Sequence, residues 1–266
     1  MSALQLLRVE MIKLRRRTAF VVMVALFVIG TAIVFGVRAI LARSAAGQAM
    51  PFALPGSAAE IHGVLQPLIM FFSFVTVVNL TAAEFPWRTA RQNVIDGLSR
   101  EQFFTAKLLL VPLTTFLFFV VGYGIALLIA ATGGVDGALV SVPVVKAMLG
   151  GIVTAIGFSS LALLAAFATR HTAGAIAIVL GYLMFGEPVL GAILGRGGEA
   201  LGRLAAYLPA NVFASISSLG QYMPGGGLFF PSVHEPIATP MLLAMASAYV
   251  AVFCGSAYLL VRRQDL

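Results

Sequence analysis

Six apolar runs, bounded by charge or by glycine and proline, leave this chain few ways to fold. They lie at about 18–40, 61–83, 103–132, 143–169, 173–194 and 238–261. About 20 apolar residues cross a ~30 Å hydrocarbon core as a helix. Within lipid, only a helix or a closed barrel satisfies every backbone donor and acceptor. Composition agrees: 60% of residues are hydrophobic and 10% are charged, against about 25% charged in soluble domains. That is too little polar surface to cover a globule, so the expectation is an all-α polytopic membrane protein with six transmembrane helices. The run after Arg15, Arg16 and Arg17 is longer than the ~7–15 residues of a signal peptide's apolar region. It is read as the first span, not as a cleaved leader.

Lysine and arginine set the orientation. With the N-terminus cytoplasmic, twelve of the seventeen basic residues fall inside. Only Arg38, Arg43, Lys146, Arg196 and Arg203 fall outside or at its edge. Both termini are then cytoplasmic and the number of spans is even. This parity bears on residues 196–237, which include the apolar stretch LGRLAAYLPANVFASISSLG. A seventh span there would carry Arg262 and Arg263 outside, and a central arginine costs about 2.5–3.5 kcal/mol to insert. One or two short re-entrant or interfacial helices on the outer face are expected instead.

Before the first span, Leu4, Leu7, Met11 and Leu14 recur at helical spacing, with Arg8, Lys13 and Arg15 largely elsewhere. Residues 2–17 thus read as an amphipathic helix lying in the interface, basic face toward anionic lipid. The net charge of +7 needs no nucleic acid, since the positive-inside bias accounts for it.

Much familiar chemistry is missing from the sequence. The three lysines follow Ile12, Ala106 and Val145, so none stands in the G-K-[ST] context of a phosphate-binding loop. The one cysteine, Cys254, lies in an apolar run, and His62, His171 and His234 are far apart. No catalytic or metal constellation is predicted, and no cofactor for this chain. Glu187, followed by Pro188, is the one acidic residue that falls at membrane depth. It is either a pathway or gate residue beside a helix break, or it stands at the interface beyond a span that ends near Phe185. The second reading is the one favoured by the sequence.

The interval 84–107, EFPWRTARQNVIDGLSREQFFTAK, holds seven charged residues and the only tryptophan, Trp87. Pro86 suits the first turn of a helix, and Thr89–Asp96 can form a short one. Gly97 is a natural left-handed stop. Ser99 with Gln102 makes a capping box that starts a second helix, which runs directly into span three. The interval therefore reads as a surface helix, a hinge and a rigid link into the membrane.

These residues resemble the permease subunits of type-2 ATP-binding-cassette (ABC) exporters. The resemblance rests on Glu10, Lys13, Arg15 and Arg16 before the first span. After the second span it rests on Glu84, Thr89, Arg91, Gln92, Asn93, Gly97, Ser99, Arg100 and Lys107. Arg88 departs from the pattern, where a glycine is common. The resemblance implies a single permease domain over 1–266 in the bacterial plasma (inner) membrane. Two such subunits, identical or related, would form the pathway, with cytoplasmic ATPase subunits docked beneath and ATP and Mg bound there. The coupling residues would be Trp87, Arg88, Thr89, Arg91, Gln92, Asn93, Asp96 and Gly97. Short helices of the outer segment would close the external exit. The rival readings are a proton-coupled secondary carrier using Glu187 and a membrane scaffold without transport activity.

Overall fold

The computed structural model describes residues 3–44, 58–86, 98–133, 142–217, 219 and 237–263. The helices are α1 (Ala3–Arg16), α2 (Thr18–Ser44), α3 (Ala58–Ala82), α4 (Arg100–Gly133) and α5 (Val142–Thr169). They continue as α6 (Thr172–Gly181), a π turn (Tyr182–Gly186), α7 (Glu187–Arg196), α8 (Glu199–Ala205), α9 (Pro209–Ser217) and α10 (Thr239–Arg263). The described residues contain no strand, and six of their helical stretches are long and apolar enough to cross a membrane. One of these, Thr172–Arg196, is composite, made of α6, the π turn and α7. The all-helical, six-span architecture read from hydropathy is the one observed.

Burial ranks the spans. Helices α3 and α5 bury 67% of their apolar windows, whereas α2, α6–α7 and α10 bury 17%. The first two form the centre of the bundle and the others its rim. Met70, Phe74 and Val78 of α3 meet Phe158, Ala162 and Ala166 of α5 in the main core. The phenylalanine-rich turn of α3 is packing material. Phe74 is fully buried, and Phe72 lies edge-on to Phe27 of α2 at 5.3 Å between ring centroids.

Several local signals decide the connections. Between α5 and α6 the chain reverses in two residues: Arg170 takes a left-handed conformation (φ 53°), and His171 Nδ1 accepts the Gly174 N–H at 3.3 Å. Span five does not stop near Phe185. Helical bonding passes through the π turn and runs on to Arg196, and Glu187 is 1% exposed within the protein. A π turn admits one extra residue per turn without breaking the helix, which apolar periodicity does not reveal.

The segment after α7 forms two short helices. Helix α9 is buried along most of its length, through Ala210, Val212, Phe213, Ala214, Ser215 and Ile216. It lies in a notch that two glycines cut in α5. A Cβ at Gly150 would come within 2.0 Å of the Ile216 carbonyl oxygen, and one at Gly157 within 2.2 Å of the Phe213 ring. Between them, Thr154 Oγ1 lies 2.8 Å from the Phe213 carbonyl.

Helix α1 buries Leu14 of its apolar spacing together with two residues outside that spacing. Leu6, Glu10 and Leu14 are buried, while Met11 is 39% exposed. The helix is rolled so that a glutamate occupies the middle of its docked face, for a reason given by its partner below. At the same end of the bundle, Arg100 Nη1 donates to the Arg262 carbonyl at 3.0 Å, and Tyr258 OH donates to Glu101 at 3.0 Å. The start of α4 therefore meets the end of α10, at the end of the bundle where α1 packs.

Substituting Gly150→Ala should force α9 out of its notch and lower stability by about 1–3 kcal/mol, the usual range for overpacking. Gly30→Ala, inside α2 where nothing lies within 4 Å of the added carbon, should not lower it. Thermal unfolding of the purified protein in detergent reads both.

Candidate functional site

Lys107 lies two turns into α4, among apolar neighbours, with a side chain that is 0% exposed. A lysine in such a place needs anionic partners, since an isolated buried charge is far too costly. Two glutamates supply them. Lys107 Nζ donates to Glu84 Oε1 at 2.7 Å and to both carboxylate oxygens of Glu10 at 3.1 Å. Glu84 stands on the turn that follows α3, itself 1% exposed. Arg17, at the break between α1 and α2, donates from Nη2 to Glu84 Oε1 at 3.0 Å and from Nη1 to the Leu80 carbonyl at 3.2 Å. Lys13, 32% exposed, stands 3.5 Å from Glu10 at the rim.

This cluster explains the roll of α1. Glu10 faces inward because Lys107 holds it there, and the apolar residues on either side of it, Leu6 and Leu14, follow. Burial alone pushes the Glu10 carboxyl up, but the charges and hydrogen bonds of Lys107 and Lys13 outweigh that and hold it below the usual 4.5.

Beside the ions lies a set of aromatic contacts that joins the same helix ends. Phe167, near the end of α5, contacts Phe85, Phe103 and Phe104 at 6.1, 6.2 and 6.1 Å between centroids. Phe104 also contacts Tyr258 of α10 at 5.4 Å, and the Arg170 guanidinium lies 5.6 Å from the Phe85 ring centre. Edge-on aromatic pairs add about 0.5–1.5 kcal/mol each beyond the area they bury. Ser99 Oγ accepts the Gln102 N–H at 3.1 Å, and Gln102 Oε1 accepts the Ser99 N–H at 3.0 Å. That reciprocal cap begins α4 firmly.

The structure thus brings together Glu10, Arg17, Glu84 and Lys107, and fixes both flanks of the polar interval. Trp87, Arg88, Thr89, Arg91, Gln92, Asn93, Asp96 and Gly97 lie outside the described residues. Glu187 stands elsewhere, on span five, where its carboxylate receives the Tyr182 hydroxyl and the N–H groups of Ala210 and Asn211. Pro188 follows it in the first turn of α7. Among the described residues, no group of three or more His, Cys, Asp or Glu is placed to hold a metal ion.

In the sequence Lys107 stands out only among the residues that carry the family resemblance, and Arg17 only in the basic run before the first span. The signal that pointed further was depth. Lys107 falls four residues inside an apolar run, and a lysine there demands a buried partner. Which glutamate answers it, across 97 and 23 residues of chain, is not encoded locally.

The model of the ABC-2 family transporter protein matches residues 6–186, which include every member of the buried ion cluster. The chain belongs to this family. No curated protein matches the sequence. As an ABC-2 transporter membrane protein it is a multi-pass subunit that is not itself the ATPase, and membership implies partnership with an ABC ATPase. The family match does not favour the proton-coupled carrier.

Removing one member of a buried ion network costs about 3–5 kcal/mol, because the partners stay buried and uncompensated. Lys107→Met should destabilise by that order, leaving Glu10 and Glu84 facing each other. Lys13→Met, at the exposed rim, should cost less than about 1 kcal/mol. Chemical denaturation in detergent distinguishes the two.

The lowered Glu10 value has a pH consequence. Its folded value lies below the unfolded 4.5, so its contribution is complete above about pH 4.5 and is lost as pH falls through the depressed folded value. Melting temperature followed from pH 7 to pH 3 should fall on the acid side, and Glu10→Gln should flatten part of that fall.

Proposed function

We propose that this chain is the membrane permease of an ATP-driven exporter in the bacterial plasma (inner) membrane, working as a pair of identical or related subunits. Both termini and the 84–107 interval face the cytoplasm. Separate ATPase subunits, carrying ATP and Mg, engage Trp87, Arg88, Thr89, Arg91, Gln92, Asn93, Asp96 and Gly97. The outer short helices α8 and α9 close the exit of the pathway.

One observation carries this reading. Glu84 and Lys107, the two ends of the polar interval, are joined to each other by a 2.7 Å ion pair and to Glu10 of α1 through the same ammonium. A force on the interval cannot displace one flank alone. It moves the end of α3, the start of α4 and α1 together, because separating them would strip buried charges of their partners. Arg100 and Tyr258 extend the link to α10. A plain connecting loop between two spans has no need of such bracing.

Affinity purification of the tagged protein from its native membrane should bring an ABC ATPase with it. Alanine at Arg91, or Gly97→Pro, should reduce ATP-dependent transport at least about tenfold, the effect of losing one well-made contact or hinge. Protein levels in the membrane should be unchanged. Absence of any ATPase, together with full transport in both variants, would contradict the coupling role.

A further inference from the structure

Helix α9 is short, buried and held at both ends by side chains from other helices. A buried helix N-terminus leaves N–H groups that must find acceptors. In α9 the first residue is Pro209, which has no N–H, and the next two donors, of Ala210 and Asn211, both reach Glu187 at 2.9 Å. The Val212 N–H is taken by the Leu208 carbonyl at 2.9 Å. At the other end, the carbonyl of Ser217 lies 3.2 Å from His62 Nε2. A carbonyl only accepts, so Nε2 carries the proton. That leaves Nδ1 as acceptor for the hydroxyl of Tyr123, with which it is paired. His62 is 3% exposed and Glu187 1% exposed.

Nothing about transport requires these two residues to serve α9, yet the sequence spends its one deeply placed acid and a buried histidine on its ends. Between the ends, α9 lies in the glycine notch of α5, with Phe213 over Gly157 and Ala210, Val212, Phe213 and Ile216 in the main core. Gly150 and Gly157 present no side chain, and Thr154 supplies a hydroxyl to the Phe213 carbonyl. The ends are then the places where α9 is fastened by polar side chains from other helices.

We propose that Glu187 and His62 are positioning residues that latch α9 as a removable plug, with Tyr182 and Tyr123 holding each latch in place. This rests on reading the chain as a permease. It assigns the exit closure to two identified side chains and predicts that the ends of α9 release together. All three groups around the Glu187 carboxylate donate hydrogen bonds, so the amide of Glu187→Gln would set an NH₂ against a donor. His62→Ala leaves the Ser217 carbonyl without its partner.

The test uses the full-length chain in membranes, with its ATPase where one associates. Cys254 is the chain's only cysteine, so Cys254→Ser permits a single reporter, Ser215→Cys, on the buried face of α9. Labelling by a membrane-impermeant maleimide should be slow in this parent. It should rise about tenfold or more in both Glu187→Gln and His62→Ala, since an unmade buried hydrogen bond shifts such an equilibrium by that order. Gly150→Ala, which displaces α9 mechanically, calibrates the fully released rate. Labelling at the parent rate in either latch variant overturns the proposal. If a latch variant does not accumulate, Tyr182→Phe and Tyr123→Phe decide: faster labelling in both supports the latch, and parent rates overturn it. ATPase retention is read in the same membranes. Parent-rate labelling with the ATPase still bound overturns the latch alone, whereas no ATPase in any preparation overturns the permease reading.

Discussion

Lys107 is the constraint on which the end of this fold that holds α1 depends. An ammonium with no exposure, inside an apolar helix, must be neutralised by groups that come to it. Two glutamates from distant parts of the chain do so, and their arrival sets the rotation of α1, the exit of α3 and the entry of α4. Attraction between charges at 2.7–3.1 Å, away from water, is strong and directional enough to seat a glutamate on the buried face of α1. Met11 is exposed and Glu10 is buried for this reason.

At the other end of the bundle the problem is backbone polarity. Helix α9 is too short to span anything and too buried for water to satisfy its ends. Glu187 and His62 supply an acceptor and a donor where the helix lacks them. The two ends of the molecule thus use ionisable side chains for different purposes. In the first, charges meet charges and tie four segments of chain. In the second, side chains complete a helix.

Much of the architecture was legible in the sequence because it follows from hydropathy. The six spans, the tight Arg170–Thr172 reversal and the short helices within 196–217 each have a local cause: run length, a two-residue break, or Pro209 and Arg203 interrupting an apolar stretch. The misreadings have local causes too. The run at 173–194 is the observed composite span, but for Glu187 a stop near Phe185 was favoured, because glycine, an acid and a proline in succession resemble one; a π turn carries the helix past them. The apolar spacing of residues 2–17 gives an amphipathic helix but cannot weigh a partner for Glu10. Glu10, Glu84 and Lys107 were all singled out by motif resemblance, but their mutual contact depends on tertiary folding. Nothing in the sequence signalled that His62 and Glu187 serve the same helix.

The central claim is that the buried cluster makes α1 and the start of α4 one mechanical unit. Its most direct test is the distance between spin labels at Arg8→Cys and Thr105→Cys, on Cys254→Ser protein complexed with its ATPase. Pulsed electron paramagnetic resonance would compare the nucleotide-free and ATP-trapped states. One narrow distance is expected, the same in both states, and it should broaden when Lys107→Met removes the tie. A distance that changes with ATP while Lys107 is intact would show α1 and α4 moving independently, and would contradict that claim.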